Sequence, residues 1–140
     1  MNGVYKCFIV CAFFFACIVT GCTKNDTDSR WEALNVTESF FLRTGATQSG
    51  GSLYGYGDQG IKFSGDGSAV VFESSGGVTD KKVVSWTYRP HVSTLKLDGI
   101  TYNVRIPSDN SGFVLSVDDL SCEYKSLTEA EASAMELFRQ

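Results

Sequence analysis

The side chains able to do chemistry in this sequence are few, and their spacing excludes most reactions. His91 is the single histidine. It follows Pro90 in a turn sequence, so it is expected to be a solvated loop residue and not a general base. Gly55-Tyr56-Gly57-Asp58-Gln59-Gly60 has the glycine spacing of a dinucleotide-binding turn. That site needs a strand before it and a helix after it, whose N-terminus holds the pyrophosphate, whereas a β-hairpin pattern follows here. Ser93-Thr94-Leu95-Lys96 and Ser108-Asp109-Asn110 match fragments of serine acyl-transfer sites. The first lies on a strand pattern that projects its serine and lysine to opposite faces, no Lys-Thr-Gly follows, and the chain is too short to house such a site. No HExxH, CxxC or calcium-loop pattern occurs. Asp58, Asp66 and Asp109 sit in turn sequences, where aspartate serves turn geometry before metal binding. Asn35-Val36-Thr37 has the pattern of a glycosylation sequon, which carries no catalytic chemistry. Neither a catalytic residue, a metal nor a cofactor is expected, and the chain reads as a non-enzyme.

One thiol stands apart. Cys7 to Val19 is a run of thirteen apolar residues behind Lys6 and the chain's own amine. A membrane-spanning helix needs about 20 apolar residues, so this run is too short to span and has the length of a signal-peptide core. Val19-Thr20-Gly21-Cys22 closes it and resembles the lipobox of bacterial lipoproteins. The resemblance implies cleavage before Cys22, a diacylglyceryl group on its thiol and a third acyl chain, such as palmitate, on its amine. One acyl chain binds a bilayer only marginally, and two or three hold nearly permanently. The expected address is the outer membrane of a bacterial envelope, with the membrane itself as the first partner.

That reading simplifies the cysteines. Of five, Cys7, Cys11 and Cys17 leave with the signal and Cys22 is acylated, so Cys122 alone remains and no internal disulfide can form. Removing residues 1–21 costs one lysine and none of the 16 acids, which leaves eleven basic residues and a net charge of −5. The charges are dispersed, without a basic stripe, so nucleic acid is not an expected partner. Residues 22–30 read as a lipidated tether. Asp26 and Asp28 suit an ordinary linker, and they also loosely resemble the acidic export signals of Bacteroidetes surface lipoproteins. Residues 31–140 have the length of one domain.

The elements that must position any site follow a period of two. Ser29-Arg30-Trp31-Glu32 has capping-box spacing for a short helical turn. Leu34 to Arg43 is a strand candidate that can also be read as helical. Thr44 to Gly60 holds Tyr54 and Tyr56 among glycines and reads as a long loop or irregular strand. Asp66-Gly67 as a two-residue turn would pair Phe63 with Val70 and Ile61 with Phe72, all on one face. Lys82 to Arg89 alternates Val84, Trp86 and Tyr88 against polar residues until Pro90 stops it. Asp98-Gly99 pairs Leu97 with Ile100 and Leu95 with Tyr102. Asp118-Asp119 places Phe113, Leu115, Val117, Leu120, Cys122 and Tyr124 on one face, which makes Cys122 a small core residue. Thr128-Glu129-Ala130-Glu131 is a capping box opening a C-terminal helix, with Ala130, Ala134, Leu137 and Phe138 as its expected apolar stripe. That helix is expected to dock on the barrel or cover one mouth.

The sum is a mainly all-β chain: seven or eight antiparallel strands in up-and-down order, closing as a barrel, with a C-terminal α-helix. The runs IKFSGDGSAVVFE, VVSWTYRP, STLKLDGITYNV and FVLSV resemble the small lipocalin-like domains of Bacteroidetes lipoproteins, over roughly residues 60–117. Trp31, preceded by Ser29-Arg30, departs from the Gly-x-Trp of lipocalins proper. The resemblance implies a lipid-anchored, non-catalytic binding module for a small apolar or amphipathic ligand. Trp86, Tyr88 and Tyr102 are the expected inward ligand contacts, with Tyr54 and Tyr56 at the mouth. The alternative expectation is a protein–protein module, such as a periplasmic protease inhibitor or an accessory subunit of a surface complex.

Overall fold

The structure, a computed structural model, describes residues 26–49, 51–52 and 58–139. The signal, Cys22, Tyr54 and Tyr56 lie outside the described residues.

Helix α1 spans Asp26–Ala33 and is followed by a 3₁₀ turn at Val36–Glu38. The strands are β1 (Phe40–Gln48), β2 (Gly51–Ser52), β3 (Asp58–Phe63), β4 (Ser68–Ser75), β5 (Val78–Arg89), β6 (Thr94–Leu97), β7 (Ile100–Arg105), β8 (Gly112–Val117) and β9 (Leu120–Leu127). A five-residue helix α2 (Glu129–Ser133) and a 3₁₀ turn at Glu136–Phe138 complete the described chain. From β3 to β9 each strand pairs antiparallel with the next, and β1 pairs with both β3 and β9. The result is a closed eight-stranded up-and-down barrel, with β2 a two-residue extension on β1. The lipocalin-like architecture expected from the pattern is the one observed. Closure pairs every barrel strand on both sides and so removes the free sheet edges.

The N-terminal boundary differs from expectation. The helical turn expected from Ser29 starts at Asp26, with Asp26 and Asp28 in its first turn, where their charge suits the positive end of the helix. Asn35 then takes a left-handed conformation, φ 47°, and Leu34 to Ser39 belongs to turns instead of the strand, which begins at Phe40.

Turn chemistry sets the registers. Leu97 opposes Ile100 and Leu95 opposes Tyr102, as expected across Asp98-Gly99. Val117 opposes Leu120 and Leu115 opposes Cys122 across Asp118-Asp119. The first hairpin is a correction. Gly65, Asp66 and Gly67 form a three-residue loop closed by Ser64 and Ser68, with the Ser64 backbone N–H donating to Ser68 O at 2.8 Å. Phe63 therefore opposes Ala69, and Ile61 opposes Val71. A shift of one residue moves a strand's whole set to the other face, so Val70 and Phe72 point outward. The Asp66 carboxylate accepts from both the backbone N–H and the hydroxyl of Ser68 at 2.9 and 2.6 Å. These bonds fix the loop and hold the carboxyl below its ordinary range.

The outward Phe72 explains where the C-terminus goes. The Phe138 ring meets Phe72 and Phe40 edge-on, at centroid distances of 5.1 and 5.3 Å. It lies over Gly60, where a Cβ would collide with it. The C-terminal segment thus packs on the outer wall and does not line the cavity described below. Thr128 caps α2 by accepting from the Glu131 N–H at 3.2 Å. The expected stripe is corrected: α2 ends at Ser133, Ala130 and Ala134 are exposed, and Ala132 and Leu137 are the residues buried.

Candidate ligand cavity

The barrel interior divides into a filled half and a hollow half. At the filled end Trp31, carried by α1, enters the barrel and is 7% exposed. It stacks on Tyr88 at 4.4 Å with an interplanar angle of 8°. It also meets Phe63, Phe113 and Trp86 at centroid distances of 6.1, 5.9 and 6.4 Å. Phe41 and Leu95 complete this layer, fully buried. A chain of aromatic pairs gives the packing direction as well as area. Polar bonds clamp the helix in place. Asp28, 3% exposed, accepts from the Tyr88 hydroxyl at 2.5 Å and from the His91 backbone N–H at 2.9 Å. Arg30 Nη1 donates to Ile106 O at 3.0 Å. Burial beside the Asp28 carboxylate pushes the Tyr88 hydroxyl well above the ordinary tyrosine range.

At the other end the same strands enclose a cavity of about 310 Å³. The parity of each strand decides which side chains line it. Phe41 and Arg43 share a face of β1, and Thr44 is a bulge residue where the β9 register shifts, so Ala46 again packs against the core. Gln59 lies two residues from Ile61 on β3, and Val71 and Glu73 follow Ala69 on β4. Val84, Lys82 and Asp80 continue the inward set of β5, opposite Ala69, Val71 and Glu73. Leu97, Leu115, Cys122 and Tyr124 close the wall. The floor is therefore mostly apolar, while Arg43, Glu73, Asp80, Lys81, Lys82 and Asp98 ring the mouth.

Two polar links order this lining. The Tyr124 hydroxyl donates to Gln59 Oε1, and Gln59 Nε2 donates to Glu73 Oε1 at 3.2 Å. Lys82 pairs with Asp98 at 3.0 Å, tying β5 to the β6–β7 turn. Both groups of this pair are mostly exposed, so it contributes little stability and chiefly shapes the rim. Burial pushes the Cys122 thiol above its usual value, opposed by the nearby charge of Arg43. The arrangement offers apolar surface below and both signs of charge above. Among the described residues no group of three histidine, cysteine, aspartate or glutamate side chains is placed to hold a metal ion.

The residues expected to contact a ligand are distributed across both halves. Trp86 and Tyr88 point inward but belong to the filled half. Trp86 Nε1 donates to Ser64 O at 2.9 Å, and both rings pack against Trp31. They are core, placed away from the cavity. Tyr102 lines the cavity, and Tyr54 and Tyr56 lie outside the described residues. Arg43, Gln59 and Glu73 are not singled out by the sequence, and Tyr124 is read from it only as an inward residue of its hairpin. Strand parity carried their signal: each lies an even number of residues from an inward apolar neighbour on its own strand.

No protein-family model, curated protein or solved structure matches this chain.

Proposed function

We propose that the mature chain is a non-catalytic binding module, anchored to the bacterial outer membrane by the lipid on Cys22, that takes a small amphipathic molecule into the open half of its barrel. The observation that carries this reading is the cavity of about 310 Å³, with an apolar floor of Val71, Val84, Leu97 and Leu115 under a rim of mixed charge. Small-molecule sites are concave and combine apolar walls with placed polar groups; this cavity is concave and divides its lining between apolar side chains below and polar or charged ones above. Its volume stands at the low end of the range of about 300–1,000 Å³ for drug-sized ligands. The lipobox and the apolar run before it support the anchor, and the resemblance over residues 60–117 supports the module class.

Native mass spectrometry of a soluble chain starting at residue 23 tests the binding reading. A one-to-one complex with a co-purified or added amphiphile, lost in the cavity-filling variant Val71→Phe, is the expected result. A domain that emerges empty and binds no member of an amphiphile panel sinks it. A protein–protein module is the second reading, favoured by exposed Val78 and Val83 on β5 and by Ile100 at the cavity lining. A protease or surface-complex protein recovered by crosslinking in membranes, and lost on Val78→Asp, would favour this reading over the first.

A further inference from the structure

We infer that the cavity opens away from the membrane, so that its ligand is a compact amphiphile taken from the water phase and not a lipid drawn from the bilayer. The inference rests on acylation of Cys22 and deepens the binding reading above.

The tether joins the barrel at its filled end. Helix α1 is fixed to the filled end by Trp31, by Asp28 against Tyr88 and His91, and by Arg30 against Ile106. Its first residue, Asp26, precedes Asp28 by less than one helical turn and so stays at that end. Asp26 is four residues beyond Cys22. Whatever path those residues take, a fully extended chain of four steps reaches at most about 14 Å. The filled end is therefore held within that distance of the lipid headgroups.

Strand β5 sets the height of the barrel. Tyr88, bonded to Asp28, and Asp80, at the cavity mouth, lie on one continuous strand. Eight residues of strand span about 26 Å, and a strand tilt of about 40° leaves about 20 Å along the barrel axis. The barrel is thus taller than the tether is long. A mouth pressed onto the bilayer would lift Asp26 beyond the reach of Cys22. The short tether excludes that orientation and leaves the mouth directed to water.

The rim agrees. Glu73, Asp80 and Asp98 share the opening with Arg43, Lys81 and Lys82, and burying ionised groups in hydrocarbon is costly. By contrast, a ligand arriving through water keeps its polar end among these charges and inserts its apolar body against Val84, Leu97 and Leu115.

The test uses the full acylated chain in phosphatidylcholine vesicles, in a Cys122→Ala background. A bimane label is placed at Gly65→Cys, on the β3–β4 turn of the filled end, or at Val78→Cys, at the far end of β5. Headgroup-located nitroxide lipid is expected to quench the label at position 65 several-fold more than the label at position 78, and aqueous iodide to show the reverse order. Equal quenching, or stronger nitroxide quenching at position 78, overturns the orientation. Loss of the chain from floated vesicles overturns the acylation reading and the inference with it. In the same vesicles, without labels, the water-borne amphiphile anilinonaphthalene sulfonate is expected to bind and to be excluded by Val71→Phe, while a pyrene-labelled phospholipid gives no signal sensitive to Val71→Phe. Uptake of the phospholipid, blocked by Val71→Phe, overturns the water-phase source. Quenching in the expected order with no dye uptake overturns the binding reading and leaves the orientation standing.

Discussion

Replacing Trp31 with alanine removes the ring that fills one end of the barrel, and the structure sets the size of the loss. Trp31 is 7% exposed and is in ring contact with Tyr88, Phe63, Phe113 and Trp86. Truncating a buried aromatic to alanine costs about 3–5 kcal/mol through lost transfer energy and the void left behind. The stacked Tyr88 contact, worth about 0.5–1.5 kcal/mol beyond area, puts this site in the upper part of that range. With a urea slope of about 1.5 kcal/mol per molar, the midpoint should fall by about 3 M. Urea titration of the soluble chain, followed by far-UV circular dichroism, measures it. Trp86, the one other tryptophan, supplies an independent fluorescence readout within the same aromatic layer. Trp31→Phe keeps a ring between Phe63 and Phe113 and should lose less than half as much. A Trp31→Ala loss below about 0.5 kcal/mol, the range of ordinary surface substitutions, would refute the closed end. Helix α1 would then be an ornament on an otherwise self-sufficient barrel.

Asp28→Ala removes the acceptor shared by the Tyr88 hydroxyl and the His91 N–H and should cost about 2–3 kcal/mol by denaturation, with Asp28→Asn costing less. Tyr88 also predicts alkaline behaviour. Its folded-state pKa is raised, so the stability it contributes is complete below the ordinary tyrosine value near 10 and is lost as pH climbs above it. Thermal melts between pH 9 and 11.5 should show a steeper decline for the wild type than for Tyr88→Phe; parallel declines would refute the shift. Gly112→Ala would drive its Cβ into the Tyr124 carbonyl on the neighbouring strand, whereas nothing lies within 4 Å of a Cβ at Gly65. The first should cost more than about 2 kcal/mol and the second close to none, by urea titration. Cys122 is buried with its thiol pushed up, so its alkylation at pH 7.5 should be many-fold slower than that of a free thiol. It should reach completion in denaturant and slow further with a cavity ligand present; reaction at the free-thiol rate would contradict the burial.

The class of fold was legible because strand alternation and turn sequences are local signals. Asp98-Gly99 and Asp118-Asp119 each fix a register through backbone conformations available to very few residues, so Leu95 against Tyr102 and Leu115 against Cys122 followed from sequence alone. Where a turn sequence admits two loop lengths, local reasoning fails. Gly65-Asp66-Gly67 closes as three residues, and one residue of slip carried Phe72 from the core to the outer wall. The C-terminal segment then packs on that outward Phe72 through Phe138.

The candidate site was less legible than the fold. Alternation assigned inward and outward, and Trp86, Tyr88 and Tyr102 do all face in. It contains no information on height along the barrel axis. Only closure places Trp86 and Tyr88 in the layer filled by Trp31, and Tyr102 with Arg43, Gln59 and Tyr124 around a hollow. The sequence by itself determined the β class, the cores of most strands, the registers across Asp98-Gly99 and Asp118-Asp119 and the expectation of a thiol-anchored leader, all properties of neighbours along the chain. The tertiary structure alone decided which end is filled and which is open. That choice depends on a helix docking its tryptophan among strands up to about eighty residues away, a contact no local pattern encodes.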